Sequence, residues 1–173
     1  MTGFAKRLKS LLGGSGSPVS HPVGKDPLNY DDFVHLDAED LAEQGILSAY
    51  KALLPRLNQY TESPIEVTEE IDNDAASYAI CVAGQRHEIW ERGAQNKDGW
   101  ERATVAFFEV VNANLRHSSH KFYALYGGND LGGMFLTEEE FAAARQTLKK
   151  RSEWPWMPTN DPPHYGYPVE GAA

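Results

Sequence analysis

Asn129 and Asp130 stand between two glycine pairs, Gly127-Gly128 and Gly132-Gly133, near the tip of a glycine-rich turn. An amide and a carboxylate at the tip of a glycine-rich turn can serve recognition when a rigid sheet holds them. They can equally do no more than satisfy local backbone groups, the ordinary work of Asn and Asp in turns. The turn is not a phosphate cradle, because no Gly-Lys-Ser/Thr follows. It also lacks the repeated acidic oxygens of a calcium loop. His117 and His120 have HxxH spacing, but Ser118 and Ser119 lie between them and no Asp, Glu or Cys nearby completes a ligand set. No metal and no other cofactor is expected. Cys81 lies mid-strand among apolar neighbours and reads as an inert buried thiol. No GxSxG elbow is present. Glu88 and Glu91 flank Trp90; they could act as an acid–base pair, and solvated rim charges explain them as well. His164, far along the chain, could meet Asp130 in space.

The elements that must position these groups follow from periodicity. Phe122 to Tyr126 is apolar on both faces, so it reads as a strand covered on both sides. Met134 to Leu136 is its antiparallel partner, with Asn129 and Asp130 near the tip between them. Four glycines within seven residues imply positive φ angles or close backbone approach. Thr137-Glu-Glu-Glu140 is a capping box, and Phe141, Ala144 and Leu148 form the inner face of the helix it opens.

Upstream, Asp37 is placed to cap a helix, with Asp40 at the capping-box distance. Ile46, Tyr50, Leu53, Leu57 and Tyr60 recur at core-facing spacing. Gly45 disturbs that helix, and Pro55 is expected to break or kink it, because it cannot donate to the carbonyl of Lys51. Ile65, Val67 and Ile71 alternate with Glu66, Thr68 and Glu70 in a half-exposed strand. Asn73-Asp74 turns the chain into a buried strand, Tyr78 to Ala83. Gly84-Gln85 then suits a two-residue hairpin turn before the return strand Arg86 to Glu91. Trp100 to Leu115 carries the stripe of a buried central helix. Residues 13–36 read as surface loop. From Trp154 to Pro168, prolines alternate with Trp154, Trp156, Tyr165 and Tyr167, which suits an extended tail docking its rings on the domain. The fold class is α+β: a meander-like antiparallel sheet with helices mainly on one face.

The chain carries a formal net charge of −9, and its distribution says more than its size. Four of the 16 basic residues (Lys6, Arg7, Lys9 and Lys25) precede Asp26, and none of the 25 acidic ones does, leaving 12 basic against 25 acidic from there on. The chain therefore divides into a basic, Gly/Ser-linked arm over 1–25 and one α+β domain over 26–173. Such a domain repels nucleic acid and favours a basic partner. Within the arm, Phe4, Leu8, Leu11 and Leu12 share a helical face away from Lys6, Arg7 and Lys9. A frayed arm is the plain reading and a weak membrane-surface anchor the alternative. No run approaches a membrane span, no secretory signal is read, and a lone cysteine fits a reducing compartment, so the expected location is cytoplasmic.

The pattern FYALYGGNDLGGMFLT, a short helix, then WPWMPTNDPPHYGYP, covering residues 122–168, resembles a family of small bacterial proteins of polymorphic-toxin and type VI secretion loci, the candidate immunity proteins. The resemblance implies a cytoplasmic protein that binds and neutralises a cognate toxin, and it brings no catalytic residues. In that reading Asn129, Asp130, Glu88 and Glu91 meet a basic toxin surface, and Trp90 or Trp156 fills a pocket. Two other readings stay open. One is a small hydrolase-like enzyme using Asp130 and His164 beside the glycine loop. The other is a peripheral scaffold protein tethered by its first 12 residues.

Overall fold

The computed structural model describes residues 27–92 and 99–160. The chain runs through β1 (Val34–His35), a single helical turn α1 (Ala38–Asp40), α2 (Ile46–Leu57), β2 (Val67–Asp72), β3 (Ser77–Val82) and β4 (Gln85–Glu91). It continues with α3 (Gly99–Asn114), β5 (His120–Leu125), β6 (Gly132–Thr137) and α4 (Glu138–Thr147). This is an α+β fold. Its strands do not form one meander, however. β2, β3 and β4 make one antiparallel sheet in sequence order, and β1, β6 and β5 make a second with β6 in the middle. β1 lies in a stretch expected to be loop; two residues are too short to show a period. Nor do the helices keep to one face. α2 and α3 share a core with both sheets, and α4 packs on the opposite face of β5–β6.

Alternation along β5 divides these two cores. Phe122 and Ala124 enter the larger cluster, while Tyr123 and Leu125 enter the smaller one with Met134, Leu136 and Ala144. All four β5 residues are buried, as a strand covered on both sides requires. The glycines of β6 follow from the same packing. A Cβ on Gly132 would fall inside the ring of Phe33, and one on Gly133 inside the ring of Phe122. Successive strand residues point to opposite faces, so one aromatic ring from each core presses on the bare backbone. The expected capping box opens α4: the Thr137 side chain accepts from Glu140 N, and Glu140 Oε2 accepts from Thr137 N at 2.8 Å.

Asp37 caps α1 as the sequence indicated, its Oδ1 accepting from Glu39 N at 2.8 Å. The helix that follows breaks at Glu43–Gly45 rather than at Pro55. Gln44 sits at φ 71°, and a Cβ on Gly45 would strike the carbonyl of Asp40. Pro55 lies in the last turn of α2, which stays helical to Leu57. Proline has no N–H to give the carbonyl of Lys51, and Lys51 is on the exposed side of the helix. After the break, α2 has no cap of its own, because Gly45 offers no side chain. The first sheet supplies one. Tyr78 Oη accepts from Ile46 N at 3.3 Å, and Glu69 Oε1 accepts from Leu47 N at 3.0 Å and from Tyr78 Oη at 2.7 Å. Burial, then the Glu69 hydrogen bond, pushes the Tyr78 phenol far above its ordinary range, so it stays a donor.

The β3–β4 turn is Ala83-Gly84, one residue earlier than expected, with Val82 facing Gln85. Both turn residues have positive φ, 48° and 81°, so this is the turn whose twist matches the flanking strands. A bulge opposite Tyr78 puts both Ile89 and Trp90 against the larger core. Two asparagines at the end of α3 tie the layers. Asn112 accepts from Phe122 N at 2.8 Å and donates to Phe122 O at 2.9 Å, as a neighbouring strand would. Asn114 Oδ1 accepts from Ile65 N at 2.6 Å and so fixes the entrance to β2.

Gly133→Ala is expected to lower stability by about 1–3 kcal/mol through overpacking, read as a lower urea midpoint with unchanged slope. Tyr78→Phe removes the acceptor of a buried N–H and is expected to cost about 1–3 kcal/mol in the same assay.

Candidate functional site

The glycine loop of the hairpin closes on the capping turn of α1. Leu36 N donates to Leu131 O at 2.9 Å, which places Gly128–Asp130 beside Asp37. Asn129 Nδ2 then donates to Glu39 Oε2 at 3.0 Å and to Asp37 Oδ2 at 3.5 Å. These contacts frame an open cleft of about 580 Å³ lined by Asp37, Asp40, Glu43, His35 and Asn129, with Gly45 and Ser48 on its α2 side. Asp40, Glu43, His35 and Asn129 are exposed there. The helix break at Gln44 presents Glu43 to this cleft. Three carboxylates, Asp37, Asp40 and Glu43, line one concavity and together attract a basic group. Asp130, adjacent to Asn129, is exposed on the same loop.

The other expected site residues lie elsewhere. Glu88 lines a smaller cleft of about 270 Å³ with His87, Arg102, Glu109 and Asn160. Arg86 Nη1 meets Glu88 Oε2 at 3.1 Å, and Asn160 Nδ2 donates to Glu109 Oε1 at 2.8 Å. Glu91 is exposed at the end of β4. Trp90 and Trp156 are both half-buried, with the indole N–H turned inward. Trp90 donates to Ala42 O at 2.8 Å and Trp156 to Tyr126 O at 2.9 Å. Trp156 also exchanges two backbone hydrogen bonds with Ala124, so the first part of the tail docks in extended form, as its composition indicated. Trp154 is held by Arg145, whose guanidinium lies 5.1 Å from its ring centre. His164, Tyr165 and Tyr167 lie outside the described residues, as does the basic arm.

Cys81 is half-exposed rather than buried. It stands on the outer face of the first sheet, where Sγ donates to Glu70 Oε1 at 3.2 Å and Arg86 Nε holds Glu70 Oε2 at 2.9 Å. The hydrogen bond to Glu70 raises the thiol pKa, and the bond from Arg86 leads in lowering that of Glu70. His120 packs at a tilt against Tyr60, ring centres 4.8 Å apart, and its Nδ1 lies 3.1 Å from Ser119 Oγ. Among the described residues no group of three or more His, Cys, Asp or Glu is arranged to hold a metal ion. None of the helices among them is long and apolar enough to cross a membrane.

Sequence reasoning found Asn129 and Asp37 separately but not their meeting, which joins residues far apart in the chain. It also missed Asp40 and Glu43 as cleft residues, because only the break at Gln44 turns Glu43 toward the loop. Comparison with protein-family models, curated proteins and solved structures gave no match.

Alkylation of Cys81 is expected to need a higher pH than an ordinary exposed thiol, since a donor bond to a carboxylate favours the protonated form. Glu70→Gln removes that charge and shifts the rate–pH profile to lower pH, read by iodoacetamide labelling and mass spectrometry.

Proposed function

We propose that this chain is a cytoplasmic immunity protein that occludes a cognate bacterial toxin through its acidic surface. The observation that carries the reading is the cleft that Asn129, on the glycine loop and bonded to Asp37, lines together with Asp37, Asp40 and Glu43. The loop is braced by a strand pair buried on both faces, so its polar tip is held ready before binding, which limits the entropy lost on association. The excess of acidic residues after Asp26 gives the surface a field that draws in a basic partner and sets the encounter rate. In this reading the carboxylates, including Asp130, Glu88 and Glu91, carry recognition. Trp90 and Trp156 present only the indole faces that the core leaves uncovered.

The test begins with capture of the tagged protein from its native host. A stoichiometric, basic partner whose expression alone arrests growth is expected. Asp40→Lys combined with Glu43→Lys, at two exposed positions, should then slow association about tenfold or more at low salt and abolish protection, with the thermal midpoint little changed. Unchanged association and protection would move the interface away from this cleft.

A further inference from the structure

A second stripe runs along α2, beside the one that faces the core. Leu47 and Leu54, both half-buried, form one wall of an open groove of about 980 Å³. Ile65 and Ile71 belong to the opposite wall, and Ile71 is 43 % exposed. Glu62 and Glu66, both exposed, line it with the half-buried Glu69 and one exposed cation, Lys51, so the groove is acidic on balance. The wall formed by β2 is an edge strand. Among the described residues, no backbone hydrogen bond from outside the sheet reaches it. The outer edge of β5 is treated differently, with Asn112 and the Trp156 backbone both bonded to it. An open edge beside an apolar trough is a surface that favours a covering segment.

We propose that the covering segment is the chain's own residues 2–12, TGFAKRLKSLL. The chemistry matches on both counts. Phe4, Leu8, Leu11 and Leu12 suit the Leu47, Leu54, Ile65 and Ile71 trough, and Lys6, Arg7 and Lys9 suit the Glu62 and Glu66 rim. A second copy of β2 suits it poorly, because Glu69, Glu70 and Asp72 would meet their own kind across the new pair. Reach is sufficient. Asp32 O accepts from Arg56 Nη1 at 2.7 Å, so the described chain starts near the C-terminal end of α2. The fourteen residues 13–26 span up to about 45 Å when extended, whereas the twelve-residue α2 is about 18 Å long.

The experiment uses the full chain with a nitroxide on Ser10→Cys in a Cys81→Ser background, read by relaxation enhancement of backbone amides. Signals of Leu47, Leu54, Ile65 and Ile71 are expected to lose most of their intensity, more than those of the Asp37–Glu43 cleft. Leu8→Glu with Leu11→Glu, outside the described fold, should restore them, and so should Ile71→Glu at its exposed position. Loss spread evenly over the surface, or centred on the cleft, overturns the proposal. Loss seen only when spin-labelled and isotope-labelled molecules are mixed assigns the groove to a second copy. Immobilisation of the nitroxide only on phosphatidylcholine–phosphatidylserine vesicles assigns the segment to a membrane. Each of these outcomes also overturns it.

Discussion

The structure depends on two aromatic rings meeting a strand that has no side chains where they meet it. Phe33 and Phe122 press on Gly132 and Gly133 from opposite faces of β6. Each ring belongs to, or packs against, a different apolar cluster. The glycine pair therefore sets the distance between the two cores. It also lets β1 pair with β6 through Val34 and His35, which brings the chain before α1 alongside the hairpin. Loop 128–130 reaches Asp37 and Glu39 because that pairing holds. The acidic cleft is thus a consequence of close packing several residues away, not of any contact between carboxylates.

Polar side chains do the joining where secondary structure alone would fail. The break at Gln44 leaves α2 without a local cap, and the sheet answers with Tyr78 and Glu69. A carboxylate at a helix N-terminus also meets the positive end of the helix dipole. Asn112 and Asn114 occupy the end of a helix that is otherwise apolar on its buried side, where asparagine is an indifferent helix former. Each spends its amide on a neighbouring segment. These bonds are directional, so they specify register and crossing in a way that apolar contact does not.

Much of this was legible from residue pattern. The α+β class, the capping box at Thr137, the core stripe of α2, the buried α3 and the twice-covered β5 all follow from local periodicity. The failures share a cause. The partition into two sheets hangs on a two-residue strand with no period to read. The turn slipped by one residue because Ala83 takes a left-handed conformation that Gly84 alone was expected to need. Cys81 looked buried because its neighbours in sequence are, although its own side of β3 faces outward. The cleft was half legible: Asn129 and Asp37 each carried a local signal, but their meeting depends on tertiary register.

The bond pair between Trp156 and Ala124 bears on how the chain is made. Synthesis delivers β5 well before Trp156, so for an interval the emerging strand has its Asn112 clamp and no seal beyond it. During that interval the edge at Ala124 is open to any extended chain nearby, including a neighbouring nascent copy. Tail docking is in this sense a closing step of assembly. A chain that stopped short of Trp156 would lose the packing of Trp156 and Met157 on the two apolar clusters and leave the outer edge of β5 at Ala124 without its backbone partner.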